Sequence, residues 1–161
     1  PFAEAYALDK MAGNSNILAK EKQLKVLYRL NELLKQQGAE RLRHINLERI
    51  ARWYFSEGNE ELGGKLYLEL IMYWSKNYPQ SAIYSTENYV KSLLKQKKFE
   101  KALEVITSFK NDHNPNPDKL ISLDTLQSQC YLSLGEQHWM KGLELLKEYL
   151  IYLGQIFFLA N

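Results

Sequence analysis

The stretch KQKKFEKALEVITSFK, residues 95–110, limits what this chain can fold into more than any other. Phe99, Ala102, Ile106 and Phe109 fall at steps of three, four and three, so they share one face of an α-helix. The small residue among large ones marks a place where a neighbouring helix presses close. One amphipathic helix cannot hide such a stripe unaided, and the rest of the chain reads as imperfect copies of this helix and the one before it.

Taken in order, the same spacing predicts about eight helices. Residues 1–12 form a short helix ended by Gly13, with Asn14 or Ser15 placed to cap the next one. Residues 16–37 carry Leu24, Leu27, Leu30, Leu33 and Leu34 on one stripe, and Gly38 stops them. Residues 39–57 put Leu47, Ile50, Ala51 and Tyr54 on one face, before a turn at Gly58 and Asn59. Residues 60–77 hold Gly63, Gly64, Tyr67, Leu70, Ile71 and Trp74. A glycine inside a helix costs about 1 kcal/mol against alanine, which the close approach of another backbone can offset. Tyr78-Pro79 closes that unit, and residues 81–96 then turn Tyr89, Val90 and Leu93 inward. After the helix at 98–111 comes NDHNPNPD, residues 111–118, the most turn-rich segment of the chain. Residues 117–134 bury Leu120, Leu123, Leu126 and Cys130. Gly135 makes a turn, residues 137–152 present Trp139, Gly142, Leu146 and Tyr149, and a short apolar tail follows.

With 161 residues the chain suits one domain with a real core; it opens on Pro1 rather than Met, and the expectation is a processed chain or a segment cut from a longer protein. A net charge of +2 does not suggest nucleic acid. The cluster Lys91, Lys95, Lys97, Lys98 and Lys101 is interrupted by Glu100 and Glu104 and has no aromatic stacking platform. A lone cysteine, Cys130, cannot form an internal disulfide; this favours the cytoplasm, with the periplasm the alternative if the segment belongs to a membrane sensor. No apolar run is long enough to span a membrane.

A turn–small–aromatic pattern recurs as Gly58, Gly63, Tyr67, Leu70, then Lys97, Ala102, Ile106, Phe109, then Gly135, Gly142, Leu146, Tyr149. Together with Leu47, Ile50, Ala51 and Tyr54, and with Tyr89, Val90, Leu93 and Phe99, it resembles the tetratricopeptide-repeat family. Lys97 stands where that pattern has its turn glycine, the units are longer than the family's, and the resemblance covers most of residues 40–150. It implies an all-α fold of antiparallel helical hairpins stacked as a right-handed α-solenoid, with the first helix of each hairpin lining a concave face.

The resemblance puts Ile45, Glu48, Arg49, Arg52 and Phe55 of the third helix on that face, and Tyr84, Glu87, Asn88, Lys91 and Lys95 of the fifth. It implies a peptide-binding set of Arg49, Arg52, Tyr84, Asn88, Lys91 and Lys95. Arg and Lys would hold acidic side chains or a terminal carboxylate, and Asn88 an extended backbone. The same charges also fit a solvated face with pairs such as Glu48–Arg52 and Glu87–Lys91.

Reaction chemistry has no equivalent signal. HExxH, CxxC, GxSxG and phosphate-cradling glycine loops are all missing, and His44, His113 and His138 fall in different units. Asp112, His113 and Asp118 share the turn-rich loop, where Asn and Asp set turns more readily than they hold a metal. Cys130 lies on an apolar face, as a small hydrophobe does. The expectation is a non-enzymatic protein- or peptide-binding scaffold with no cofactor. The alternatives are a peptide-sensing regulatory domain of a bacterial sensor kinase or transcription regulator, and an enzyme using a groove between helices. Ile151, Ile156, Phe157, Phe158 and Leu159 call for a covering helix, a partner or a second copy at the C-terminal end.

Overall fold

The computed structural model describes residues 2–13, 19–113 and 120–159; of Phe2, Tyr149 and residues 152–159 it describes the backbone alone. The described residues form eight α-helices and no strand. In order these are α1 (Phe2–Gly13), α2 (Lys20–Gln36), α3 (Glu40–Ser56), α4 (Glu60–Asn77), α5 (Pro79–Lys95), α6 (Phe99–His113), α7 (Ile121–Ser133) and α8 (Glu136–Leu159). The chain divides into two compact units, Pro1–Met72 and Tyr73–Asn161.

In the first unit α1 packs on α2 and α2 on α3. Leu27, Leu30, Leu33 and Leu34 of α2 are buried, with Leu47, Ile50, Ala51 and Phe55 of α3 and Tyr67, Leu70 and Ile71 of α4. Ala5 of α1 joins Leu30 and Leu34 in one cluster, flanked by Leu8 and Ala39. Polar ties connect α2 to α3: Asn46 Nδ2 donates to the Leu27 carbonyl at 2.8 Å, and Lys20 Nζ meets Glu57 Oε1 at 2.7 Å. The Tyr28 and Tyr54 hydroxyls lie 2.8 Å apart. Gly63 lies against α3, where an added Cβ would be 3.1 Å from the Ala51 carbonyl oxygen. That is the close backbone approach the interior glycine requires.

In the second unit successive helices again pack together, α5 on α6, α6 on α7 and α7 on α8, and α5 also reaches α7. Ala82, Ile83, Tyr89, Val90 and Leu93 are buried, with Ala102, Ile106 and Phe109 of α6 and Leu123, Leu126 and Cys130 of α7. Ala102 is fully buried at the contact expected of a small residue.

Three helix ends share one device. The amides of Ala39, Asn59 and Lys98 donate to the carbonyls of Leu34, Tyr54 and Leu93 at 2.9, 2.9 and 3.0 Å. The residue before each amide is left-handed, with φ of 67° at Gly38, 77° at Gly58 and 59° at Lys97. This is the Schellman termination, in which a left-handed residue lets the next amide reach back to the last turn. Lys97 therefore does the backbone work of the glycine it replaces.

Several boundaries differ from the sequence expectation. Pro79 opens α5 instead of closing the preceding unit, because a first-turn amide has no intrahelical acceptor for Pro to forgo. Residues 111–113 continue α6 rather than joining the loop. The helix α8 runs through Gly154 to Leu159, where a tail was expected. Trp139 is 46% exposed, with its indole N–H donating to the Leu132 carbonyl at 3.1 Å. The caps expected at Asn14 and Ser15, Asp118 in the turn-rich loop, and the side chains of Ile156 to Leu159 lie outside the described residues.

Candidate functional site

Four residues of α3, Arg49, Arg52, Trp53 and Ser56, recur at steps of three, one and three and so fall on neighbouring turns of one face. They line a cleft of about 390 Å³ with Ala12 and Gly13 at the end of α1 and Gln23 and Leu27 of α2. No carboxylate is among these lining residues.

The two guanidiniums are oriented by acids that lie outside the lining. Arg49 Nη1 donates to Asp9 Oδ1 of α1 at 2.5 Å, with the arginine side chain 30% exposed. Arg52 Nη2 lies 3.7 Å from Glu48 Oε1, one turn back, and its side chain is 55% exposed. A guanidinium carries five N–H donors in a planar fork, so one carboxylate contact leaves it capable of further hydrogen bonds. The rim is held by Gln23 Nε2, which donates to the Ala12 carbonyl at 3.3 Å. Trp53 packs edge-on against Tyr54 with ring centroids 5.5 Å apart. Its indole nitrogen is buried without a hydrogen-bond partner among the described residues. Tyr54 in turn meets Tyr28, whose hydroxyl is pushed up to about 12, first by burial and then by the hydrogen bond from its neighbour. Such an arrangement suits the recognition of anionic oxygens beside an aromatic wall.

Of the sequence-predicted set, the structure brings Arg49 and Arg52 together in this cleft. Two other members of the predicted α3 face, Glu48 and Phe55, are buried. Their positions continue the core stripe of His44, Leu47 and Ala51 at helical spacing. In the second unit Tyr84, Lys91 and Lys95 are exposed along α5, with Asn88 half-buried on the same stripe. Lys91 Nζ meets Glu87 Oε2 at 3.3 Å, the expected one-turn pair. The other oxygen of Glu87 accepts from the Ser122 hydroxyl of α7, fixing that acid between two helices. Asn88 offers its carbonyl to the Ser92 hydroxyl at 2.8 Å.

Sequence reasoning missed Gln23, Trp53 and Ser56 as cleft residues. Trp53 and Ser56 lie four and seven positions after Arg49, so the face itself was legible; the closure by α1 and α2 was not.

Two further titratable groups, His44 and Cys130, are buried. His44 Nδ1 donates to the Glu40 carbonyl at 2.7 Å and Nε2 accepts from Arg43 at 3.3 Å. Burial depresses its basicity, so the ring is neutral near pH 7. Burial pushes the Cys130 thiol up to about 11. Asp112 accepts from Ser108 at 2.9 Å, and His113 lies 3.3 Å from the Ser75 hydroxyl. Among the described residues no group of three metal-ligating side chains converges, and no helix is long and apolar enough to cross a membrane.

No family model, no curated protein and no solved structure matches the chain. The site therefore rests on its own geometry.

Proposed function

We propose that the chain is a non-enzymatic binding module that holds an acidic segment of a protein or peptide partner. One observation carries the reading: Arg49 and Arg52 meet in a cleft with Gln23, Trp53 and Ser56 and with no lining acid. A ligand carboxylate would take guanidinium donors there while its neighbouring residues lie along Trp53. The exposed stripe of Tyr84, Lys91 and Lys95 is a second contact surface of the same character.

The architecture we propose is a short right-handed superhelix of antiparallel hairpins, similar to tetratricopeptide repeats. Pairings between α2 and α3 support it, because Lys20 meets Glu57 while the later residue Leu27 meets the earlier Asn46. Contacts between helices two apart also support it: Asp9 with Arg49, Ser75 with His113 and Glu87 with Ser122. Such contacts are what successive stacked hairpins make.

The test is a titration of a fluorescently labelled glutamate-rich peptide into the wild type and Arg52→Gln. Arg52 is chosen because its side chain is 55% exposed, and the variant is first shown by circular dichroism and thermal melting to be folded as the wild type, since the substitution also removes the charge paired with the buried Glu48. Salt-sensitive binding weakened about tenfold by the substitution is expected, equivalent to about 1.4 kcal/mol. Equal binding by both proteins would remove the cleft from the site.

A further inference from the structure

Outside the cleft, α8 carries a group of exposed apolar side chains. Trp139, Met140, Leu143, Leu150 and Ile151 are each 46–67% exposed. They occupy one side of the helix, while the other side carries Gly142 into α7, where an added Cβ would lie 3.1 Å from Leu132 Cγ and 3.2 Å from the Ser128 carbonyl oxygen. A continuous face of this kind on a helix marks an interaction surface. Within it stand two charged residues of opposite sign, Glu144 and Lys147, both exposed.

We infer that this face is a self-association surface, occupied by α8 of a second copy of the chain running antiparallel. The arrangement of charge selects that occupant. Met140, Leu143, Lys147 and Leu150 follow the alternating three- and four-residue steps of a helix-pairing seam. When two such seams meet head to tail, Met140 faces the partner's Leu150, and Leu143 lies under the aliphatic stem of the partner's Lys147. The ammonium group of each Lys147 then emerges beside the partner's Glu144, and the two-fold axis repeats the pair. One surface is thus its own complement in both shape and sign, as an isologous dimer requires. A lysine inside an apolar seam lowers affinity but fixes register, since other alignments strand its charge among leucines. Lys141 and Glu148 flank the seam and stay in solvent in this register.

Charge exchange across the interface provides the test. Sedimentation of the wild type at rising concentration should show a reversible monomer–dimer equilibrium. Glu144→Lys and Lys147→Glu, each confirmed helical by circular dichroism, place like charges opposite one another, and each alone should dimerise at least about tenfold more weakly. An equimolar mixture of the two should dimerise again, because each then offers the charge the other lacks. Recovery on mixing separates the intermolecular contact from any effect within one helix, which mixing cannot repair. A wild type that remains monomeric at high concentration would overturn the inference, leaving the face to another occupant. So would two single variants that associate as the wild type does, or a mixture that stays monomeric.

Discussion

The Cα of Gly63 lies so close to the Phe55 ring that a Cβ added to it would be 2.5 Å from Cδ2 and 2.8 Å from Cε2. The ring has little room to retreat, because it packs at 5.8 Å between centroids against Tyr67, which is fully buried. Gly63→Ala should therefore destabilise the fold. Overpacking costs about 1–3 kcal/mol, against which the better helix propensity of alanine returns up to about 1 kcal/mol. A net loss of about 1 kcal/mol or more is expected in urea unfolding, and a stabilised variant would show that α3 and α4 are less tightly joined than described.

Lys97 holds φ at 59° for the same terminating bond that Gly58 supports at 77°. A side chain in the left-handed region costs about 1–2 kcal/mol, part of which a glycine gives back through the entropy of its unfolded chain. Lys97→Gly should gain roughly 0.5–1 kcal/mol, and Gly58→Ala should lose about 1 kcal/mol. Thermal melts of the two variants should move in opposite directions. Parallel shifts would contradict the shared geometry.

His44 makes stability depend on pH. Burial, the leading cause, and the Arg43 charge lower its folded value, against the opposing hydrogen bond to the Glu40 carbonyl and the charges of Glu40 and Glu69. The unfolded chain then binds a proton at a pH where the folded one does not. The contribution is intact above about pH 6.5 and is lost as pH falls from there toward the depressed folded value. Denaturant midpoints measured from pH 7.5 to 5 should decline, and His44→Gln should flatten that decline. A His44→Gln profile that falls as steeply as the wild type would assign the effect to other groups.

Cys130 is fully buried in α7 and its thiol is raised to about 11, so little thiolate exists near neutrality. Labelling by a thiol reagent should be far slower in the native protein than in the denatured one, and it should accelerate with denaturant as unfolding does. Cys130→Ala should leave the helices formed while costing stability through the space it opens. Rapid labelling of the native state would place this part of α7 at the surface.

The sequence by itself determined which residues turn inward. Tyr67, Leu70, Ala102, Ile106 and Leu123 are fully buried on the stripes their spacing predicts. It also determined where α2, α3 and α5 stop, because a left-handed terminator is a local requirement that Gly38, Gly58 and the substitute Lys97 meet with their own backbones. These properties depend on neighbours three or four positions away, and such neighbours are written in order along the chain. The tertiary structure alone decided what happens to polar residues on a face. Glu48 and Arg52 are one turn apart with opposite charges, yet Glu48 is buried and Arg52 lines a cleft. That outcome depends on α1 and α2 closing over α3, with Asp9 binding Arg49 from 40 positions away. Local periodicity can assign a side chain to a face, but the partner that covers it comes from a distant segment, and only packing brings the two together.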